Sequence, residues 1–144
     1  MAQVSDILEV KGHDVHEIDG SVTVLEAVTK MVEKNVGSLL VTTEDGRLAG
    51  IVTERDYLRR VTLQGRDERT TPVREIMTTP IAYVTPESSI EECMAVMTER
   101  RIRHLPVLTG DKQVAGIVSI GDVVKFQSDE QRVQIEFLTE YISS

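Results

Sequence analysis

The sequence repeats itself at a spacing of 66 residues, and this duplication limits the folds that the chain can adopt. Residues 24–58 align without a gap on residues 90–124, and 12 of the 35 aligned positions are identical. The longest identical run, Ala-Gly-Ile-Val, occupies residues 49–52 and again residues 115–118. Two copies with a period longer than that of a solenoid repeat indicate a duplicated domain and not an extended array.

Both copies predict the same order of secondary structure. In copy one we expect a strand at 15–18, a helix capped by Thr23, strands at 39–41 and 48–52, and a helix after Thr53. In copy two we expect a strand at 81–84, a helix capped by Ser89, strands at 105–107 and 114–118, and a helix after Ser119. A unit of about 60 residues buries little apolar surface alone. We therefore expect an α/β (α+β) fold, in which two β-α-β-β-α repeats pack face to face with pseudo-twofold symmetry.

The repeats and the segments outside them suggest three regions. We assign residues 1–66 to the first repeat, 67–127 to the second, and 128–144 to a C-terminal amphipathic helix. The stretch 65–72 is charged and lacks apolar side chains, which is typical of a linker. In the tail, helical spacing places Ile135, Leu138 and Ile142 on one apolar stripe, with Val133, Phe137 and Tyr141 beside it.

Composition excludes several classes of function. The chain carries 24 acidic against 16 basic residues, a net charge of −8, which disfavours binding to nucleic acid. No apolar run approaches the roughly 18 residues that would span a bilayer, and the start lacks the pattern of a secretory signal, so we expect a cytoplasmic protein. The single cysteine, Cys93, excludes an internal disulfide, and its place on an apolar helix face predicts an inert core residue.

The motif at the end of the last strand is the strongest candidate for chemistry. Thr53 and Asp56 follow the strand of copy one, and Ser119 and Asp122 follow that of copy two. This spacing is that of a capping box, in which the hydroxyl caps the helix and the aspartate favours its positive end. Alternatively, the hydroxyl and the helix N-terminus hold a phosphate while the carboxylate accepts the hydroxyls of a ribose. The duplication favours this second, functional interpretation.

Together with the segment 103–107, Arg-His-Leu-Pro-Val, these motifs resemble a tandem pair of cystathionine-β-synthase (CBS) domains, a Bateman module. The resemblance covers residues 4 to about 127. It implies a regulatory module that binds adenosine-containing ligands in clefts between the two repeats. AMP best matches a site that holds one ribose and one phosphate, and NAD, ATP or S-adenosylmethionine contain the same adenosine. No cofactor is required. The resemblance also implies a homodimer and an unidentified protein target that receives the signal in trans.

The resemblance carries roles onto particular residues. Asp56 and Asp122 would bind ribose hydroxyls, and Thr53 and Ser119 would contact phosphate. The adenine would contact main-chain groups near residues 16–18 and 81–84. We therefore predict as adenine-contacting residues His16, Ile18, Ile81, Ala82 and Tyr83.

The two copies differ where charge matters. Arg55 in copy one is replaced by Gly121 in copy two, so we expect unequal sites, the first preferring the more highly charged ligand. Arg103 and His104 either face a phosphate or are ordinary residues at the end of a strand. In copy one the equivalent positions are Gly37 and Ser38.

Other residues indicate no further chemistry. The pair of histidines at 13 and 16 lacks the spacing of a known zinc site, and the methionines on the helices are expected in the core. No set of nucleophile, base and acid is apparent, so we expect no enzymatic activity. The alternatives that stay open are a structural dimerisation module with vestigial sites and, less favoured, an enzyme acting on an adenosine nucleotide.

Overall fold

The chain forms two compact units, and neither has the bounds of one sequence repeat. The computed structural model describes residues 2–143, without the side chains of residue 137 and residues 140–143. One unit consists of the residues up to Asp14 together with those from Ala82 onward, and the other of Val15–Ile81. We call the first the split unit and the second the continuous unit. Each mixes helices with a small sheet, which confirms the predicted α+β class with two repeated units.

In chain order the elements are α1 (Val4–Lys11), β1 (Glu17–Asp19), α2 (Val24–Lys34), β2 (Ser38–Thr42), β3 (Leu48–Thr53), α3 (Glu54–Tyr57), α4 (Ile90–Arg100), β4 (His104–Leu108), β5 (Val114–Ser119) and α5 (Ile120–Ser143). A π-helical turn, Leu58–Thr62, continues α3, and a 3-10 turn spans Val73–Glu75. The predicted capping residues Thr23 and Ser89 do cap α2 and α4, because each hydroxyl accepts the amide of the glutamate three residues later.

The continuous unit holds a three-stranded sheet in the order β1-β2-β3. β1 runs parallel to β2, with Ile18 opposite Val41, and β3 runs antiparallel to β2, with Thr53 opposite Ser38. In the split unit β4 and β5 pair in the equivalent antiparallel register, with His104 opposite Ser119. The strands of the two repeats therefore match residue for residue at the end where the motif begins.

The predicted strand at 81–84 is wrong, and a proline explains the difference. Only Val84 pairs, through an isolated parallel bridge to Val107. In copy one the amide of Leu40 donates to the carbonyl oxygen of His16 at 3.0 Å. The equivalent of Leu40 in copy two is Pro106, which has no N–H to donate, so this ladder bond is absent from copy two.

The segment that leads into each repeat packs in the unit of the other repeat. Leu8 of α1 lies over Gly116 of β5, and Met77 lies over Gly50 of β3. A β-carbon at Gly116 would stand 2.8 Å from Leu8 Cδ2, and one at Gly50 would stand 2.6 Å from Met77 Sδ. The glycine of each repeated motif is thus required by the close approach of this leading segment.

Each unit has its own apolar core. That of the continuous unit consists of Val24, Ala27, Met31, Leu39, Val41, Val52, Val61, Val73 and Ile76. That of the split unit consists of Val4, Ile7, Leu8, Val84, Ile90, Cys93, Met97, Leu105, Val107, Val118 and Val123. The expected placement of Cys93 and of the helix methionines is confirmed, because Met31 and Met97 are buried and Met94 packs against the split-unit core.

The stretch 65–72 is packed and hydrogen-bonded, contrary to the linker interpretation. The carbonyl of Thr71 accepts the amide of Val24 at 2.9 Å, and that of Glu68 accepts the amide of Leu25 at 3.0 Å. These bonds satisfy amides at the start of α2 that have no partner within the helix. The Tyr57 hydroxyl also donates to Glu68 Oε2 at 2.6 Å, so charge in this segment serves local bonding.

The tail is the continuation of α5, which runs unbroken from Ile120 through position 128. Val133, Ile135 and Leu138 are all more than half exposed, in agreement with an apolar stripe that lies outside the unit's core. The side chains of Phe137, Tyr141 and Ile142, which we placed on or beside that stripe, lie outside the described residues.

Candidate functional site

The first candidate site is the junction of β3 and α3, where Thr53 and Asp56 form a reciprocal cap. The Thr53 amide and hydroxyl donate to Asp56 Oδ2 at 3.0 and 3.2 Å, and the Asp56 amide donates to Thr53 Oγ1 at 3.3 Å. Asp56 Oδ1 accepts the hydroxyl of Thr78 at 3.0 Å. Asp56 is only 8% exposed, and in the described part of the chain three uncharged donors hold this buried carboxylate.

The second candidate site is the junction of β5 and α5, and there a cation holds the carboxylate. Asp122 Oδ2 accepts the Ser119 amide at 2.8 Å, and the Asp122 amide donates to Ser119 Oγ at 3.1 Å. Lys11 Nζ, from the last turn of α1, donates to the same Oδ2 at 2.5 Å. The side chains of Lys11 and Asp122 are 28% and 26% exposed, so this pair is reachable from solvent, unlike Asp56.

The surroundings of Asp122 favour its charged form. Burial by itself would raise the pKa of this carboxyl group, but the hydrogen bond and the charge of Lys11 oppose it, as do the bonds from Ser119. The net result is a pKa below the ordinary value of 3.8. At neutral pH the second site therefore presents an aspartate anion paired with a lysine cation.

The main-chain segments predicted to meet an adenine lie at the same sheet end as the hydroxyls. Because β1 is parallel to β2, the residues preceding Glu17, His16 among them, run toward Ser38, which pairs with Thr53. In the split unit Val84 runs parallel to β4, so Ala82 and Tyr83 precede it toward the His104 end. Ala82 is half-buried against the core, whereas Tyr83 is 46% exposed.

Ile18, Ile81 and Arg103, which the sequence also predicts as site residues, lie in three different places. Ile18 is half-buried in β1, and its carbonyl accepts the hydroxyl of Thr42 at 3.4 Å. Ile81 ends the continuous unit and is half-buried. The carbonyl of Arg103 accepts the Ile120 amide at 2.8 Å, so its main chain closes the start of α5 while its side chain is exposed. In copy one Gly37 takes the same role toward Glu54 at 3.2 Å.

The charge difference between the sites is not the one that motif comparison alone indicates. Arg55 is exposed on α3, and Gly121 takes its place at the start of α5. Lys11 supplies the second site with a cation of its own, from a helix far away in sequence. Sequence reasoning missed Lys11 and Thr78. A signal for them was present, because residues 4–8 align on residues 73–77 at an offset of 69, which places Leu8 opposite Met77 in the two leading segments.

The remaining candidates are placed away from this chemistry. Burial raises the pKa of the Cys93 thiol to about 11, which makes it unreactive at neutral pH. His13 Nδ1 lies 2.8 Å from the carbonyl oxygen of Ala115. Among the described residues, no group of three or more His, Cys, Asp or Glu is arranged to hold a metal ion.

Comparison with known proteins agrees with the duplicated architecture. The CBS domain family matches this chain twice, at residues 4–62 and 73–129. The CBS domain-containing protein CBSX3 of Arabidopsis thaliana, a mitochondrial protein, is 43% identical over 96% of this chain and 71% of its own length. A Burkholderia ambifaria protein described as a signal-transduction protein with CBS domains is 45% identical, with a TM-score of 0.85 over 90% of this chain and 96% of that one.

A third similar structure is a hexameric CBS-CP12 protein from bloom-forming cyanobacteria. It is 36% identical, with a TM-score of 0.76 over 86% of this chain and 70% of its own.

These matches define a pair of CBS domains, a class of module that is generally regulatory. The chain belongs to the CBS domain family, with both domains of a Bateman module present in tandem. Within the described part of the chain, no helix combines the length and the apolar character needed to cross a membrane.

Proposed function

We propose that this chain is a sensor that binds an adenosine-containing ligand at Asp56 and Asp122 and passes the change to a protein partner. The observation that carries the proposal is the matched geometry of the two junctions. In each, a strand ends at a capping hydroxyl, an aspartate follows three residues later, and the backbone of a leading strand or bridge approaches the same sheet end.

The second site offers complementary groups for each part of a nucleoside monophosphate. A partly exposed carboxylate accepts hydrogen bonds from a ribose diol. Ser119 and the N-terminus of the long helix α5 stand beside it, and both favour a phosphate anion.

At the first site, in the continuous unit, β1 and β3 lie on either side of β2, about 10 Å apart by ordinary strand spacing. This span is comparable with an adenosine lying across the strand end.

AMP is the ligand that this logic favours. One phosphate is enough for one helix N-terminus, and the ribose supplies the diol for the carboxylate. NAD, ATP and S-adenosylmethionine carry the same adenosine and are the alternatives. The proposal is regulatory and not catalytic, because the hydroxyl and the carboxylate of each junction are already joined to one another as a helix cap.

A structural role is the second candidate function, and the state of Asp56 favours it for the first site. That carboxylate is buried, and Thr53 and Thr78 already occupy both of its oxygens. A ligand at this site would have to displace Thr78 from Oδ1. A dimerisation module with vestigial sites would need only the caps and the exposed apolar helix surfaces.

We also expect a homodimer that forms through helix faces. In the continuous unit a groove of about 490 Å³ lies between α2 and α3, lined in part by Val28, Val32 and Leu58. Val32 is 74% exposed and Leu58 is 56% exposed. Association with a second copy would remove this apolar surface from water. The hexameric cyanobacterial relative supports self-association in this family. Light scattering at micromolar concentration tests this expectation, and a mass near 16.1 kDa would contradict it.

A thermal-shift screen tests the proposed ligand class. AMP, ATP, NAD and S-adenosylmethionine are compared with GMP, UMP and inorganic phosphate at equal concentration. A ligand at about 100 times its dissociation constant stabilises the folded state by about 2.7 kcal/mol. We expect stabilisation by adenosine compounds only, with AMP most effective. Equal shifts with phosphate and with GMP would contradict recognition of adenosine, and a flat response to every compound would favour the structural role.

A further inference from the structure

The unexpected feature of the second site is that a helix from the start of the chain supplies a cation to its aspartate. Lys11 is the last residue of α1, and Gly12, at φ 100°, ends that helix directly after it. The Lys11 ammonium and the Ser119 amide both donate to Asp122 Oδ2. Among the described residues the first site shows no such arrangement, since the donors to its aspartate there are the Thr53 amide and the hydroxyls of Thr53 and Thr78.

This contact conflicts with the way a ribose would bind. A diol that bonds to both carboxylate oxygens needs an open position on Oδ2, where two donors already converge. The backbone amide of Ser119 belongs to the helix cap and cannot leave without breaking it. The Lys11 side chain is flexible and more than a quarter exposed, so it is the donor that yields.

We propose that Lys11 is the residue that makes the second site select phosphorylated nucleosides over free nucleosides. This inference rests on the proposed adenosine site at Asp122. When a neutral diol replaces the ammonium on Asp122, Lys11 loses its anionic partner. A nucleoside monophosphate provides a new one, because its phosphate would stand at the start of α5, beside Ser119 and within reach of the same side chain. Adenosine provides none, so it must compete with Lys11 without compensation.

The same exchange couples the ligand to α1. Lys11 joins α1 to α5, and Leu8 of α1 packs on Gly116 in the strand that leads into α5. A ligand that draws Lys11 from the aspartate to a phosphate therefore changes the restraint on the C-terminal end of α1. Binding of AMP should alter hydrogen exchange of the amides in the last turn of α1, whereas inorganic phosphate alone should not.

Calorimetry with AMP and with adenosine tests the inference on wild type, Lys11→Met and Lys11→Arg. The matched control is Lys125→Met, which removes the same charge from an exposed position on α5. We expect Lys11→Met to bind adenosine several-fold more tightly and AMP several-fold more weakly, so that the preference for AMP falls at least tenfold. Lys11→Arg and Lys125→Met should keep the wild-type preference, and raised salt should weaken AMP binding more in wild type than in Lys11→Met.

The outcomes separate this inference from the proposed function. Binding of AMP with an unchanged preference in Lys11→Met overturns the role of Lys11 and leaves the adenosine site standing. An equal loss of preference in Lys125→Met shows a general charge effect and also overturns it. If neither AMP nor adenosine binds any variant, including wild type, the proposed function fails and the role of Lys11 fails with it. Should Lys11→Met not fold, Lys11→Gln carries the same comparison.

Discussion

Replacing Gly50 by alanine should destabilise the protein, because the leading segment of copy two lies directly on that glycine. The new β-carbon would stand 2.9 Å from the backbone oxygen of Thr78, whereas ordinary contact begins near 3.4 Å. That oxygen accepts the amide of Ile51 at 3.2 Å, and a retreat of 0.5 Å would lengthen the bond past useful range. Overpacking costs about 1–3 kcal/mol and the lost hydrogen bond about 1 kcal/mol.

Alanine also recovers about 0.4–1 kcal/mol by restricting the unfolded chain, so we expect a net loss of about 2–3 kcal/mol. For a chain of this length that corresponds to a fall in Tm of roughly 5–10 °C. Urea denaturation followed by circular dichroism measures the free energy of unfolding.

Two other glycines are matched controls for Gly50→Ala. The three atoms nearest to a β-carbon at Gly116 all belong to the side chain of Leu8 and none to the backbone, so Gly116→Ala should lose about 1 kcal/mol. Gly110→Ala meets nothing within 4 Å and should be neutral or slightly stabilising. If Gly50→Ala proves as stable as Gly110→Ala, the packing of the leading segment on β3 is not the reason for the glycine. A larger loss for Gly116→Ala than for Gly50→Ala would contradict the role of the Thr78 backbone.

Three further predictions concern the split unit. The lowered pKa of Asp122 means that its ion pair with Lys11 stabilises the fold at neutral pH, and that this stabilisation is lost as the pH falls below 3.8 and through the lowered pKa. The free energy of unfolding should therefore depend less steeply on pH in Asp122→Asn than in wild type during an acid titration. Identical curves for the two proteins would oppose this assignment. The Cys93 thiol should resist iodoacetamide at pH 8 until the protein is unfolded by urea; rapid alkylation of native protein would contradict the inert, buried role of this thiol. A chain ended at Ser128 should form a weaker dimer by light scattering if the exposed apolar stripe of α5 contributes, and an unaltered dissociation constant would remove the tail from the interface.

The features that were predicted from the sequence are those carried by local patterns present twice. The capping boxes at Thr23 and Ser89, the paired strands and the burial of Cys93 each depend on spacing within one copy, and duplication doubled the signal. Identical strand register at Thr53 and Ser119 follows from the gap-free alignment.

The features that were missed depend on contacts between distant parts of the chain or on one backbone atom. Nothing near Lys11 in the sequence shows that it pairs with Asp122, which lies in the other repeat, since the ion pair exists only because α1 packs in the split unit. The strand at 81–84 fails because Pro106 lacks a donor, although the copies are otherwise alike there. The charged stretch 65–72 was mistaken for a linker because its carbonyls, and not its side chains, cap α2.

The difference between the two sites in ligand charge stays a prediction, and the structure reshapes it. Arg55 predicts stronger binding of anions at the first site, while Lys11 now adds a cation to the second. Arg55→Gly and Lys11→Met thus change one site each.

Calorimetry of AMP binding to wild type, Asp56→Asn, Asp122→Asn and the double variant tests the central claim most directly. Asparagine keeps the size of each side chain and one acceptor for the cap, so the fold is preserved while the anionic acceptor is removed. A charge-assisted hydrogen bond contributes about 1.5–3 kcal/mol, so each substitution should weaken its own site roughly tenfold to a hundredfold. We expect the double variant to lose binding at both sites. AMP binding of undiminished affinity and stoichiometry in the double variant would contradict the assignment of these two aspartates as the ligand-binding residues.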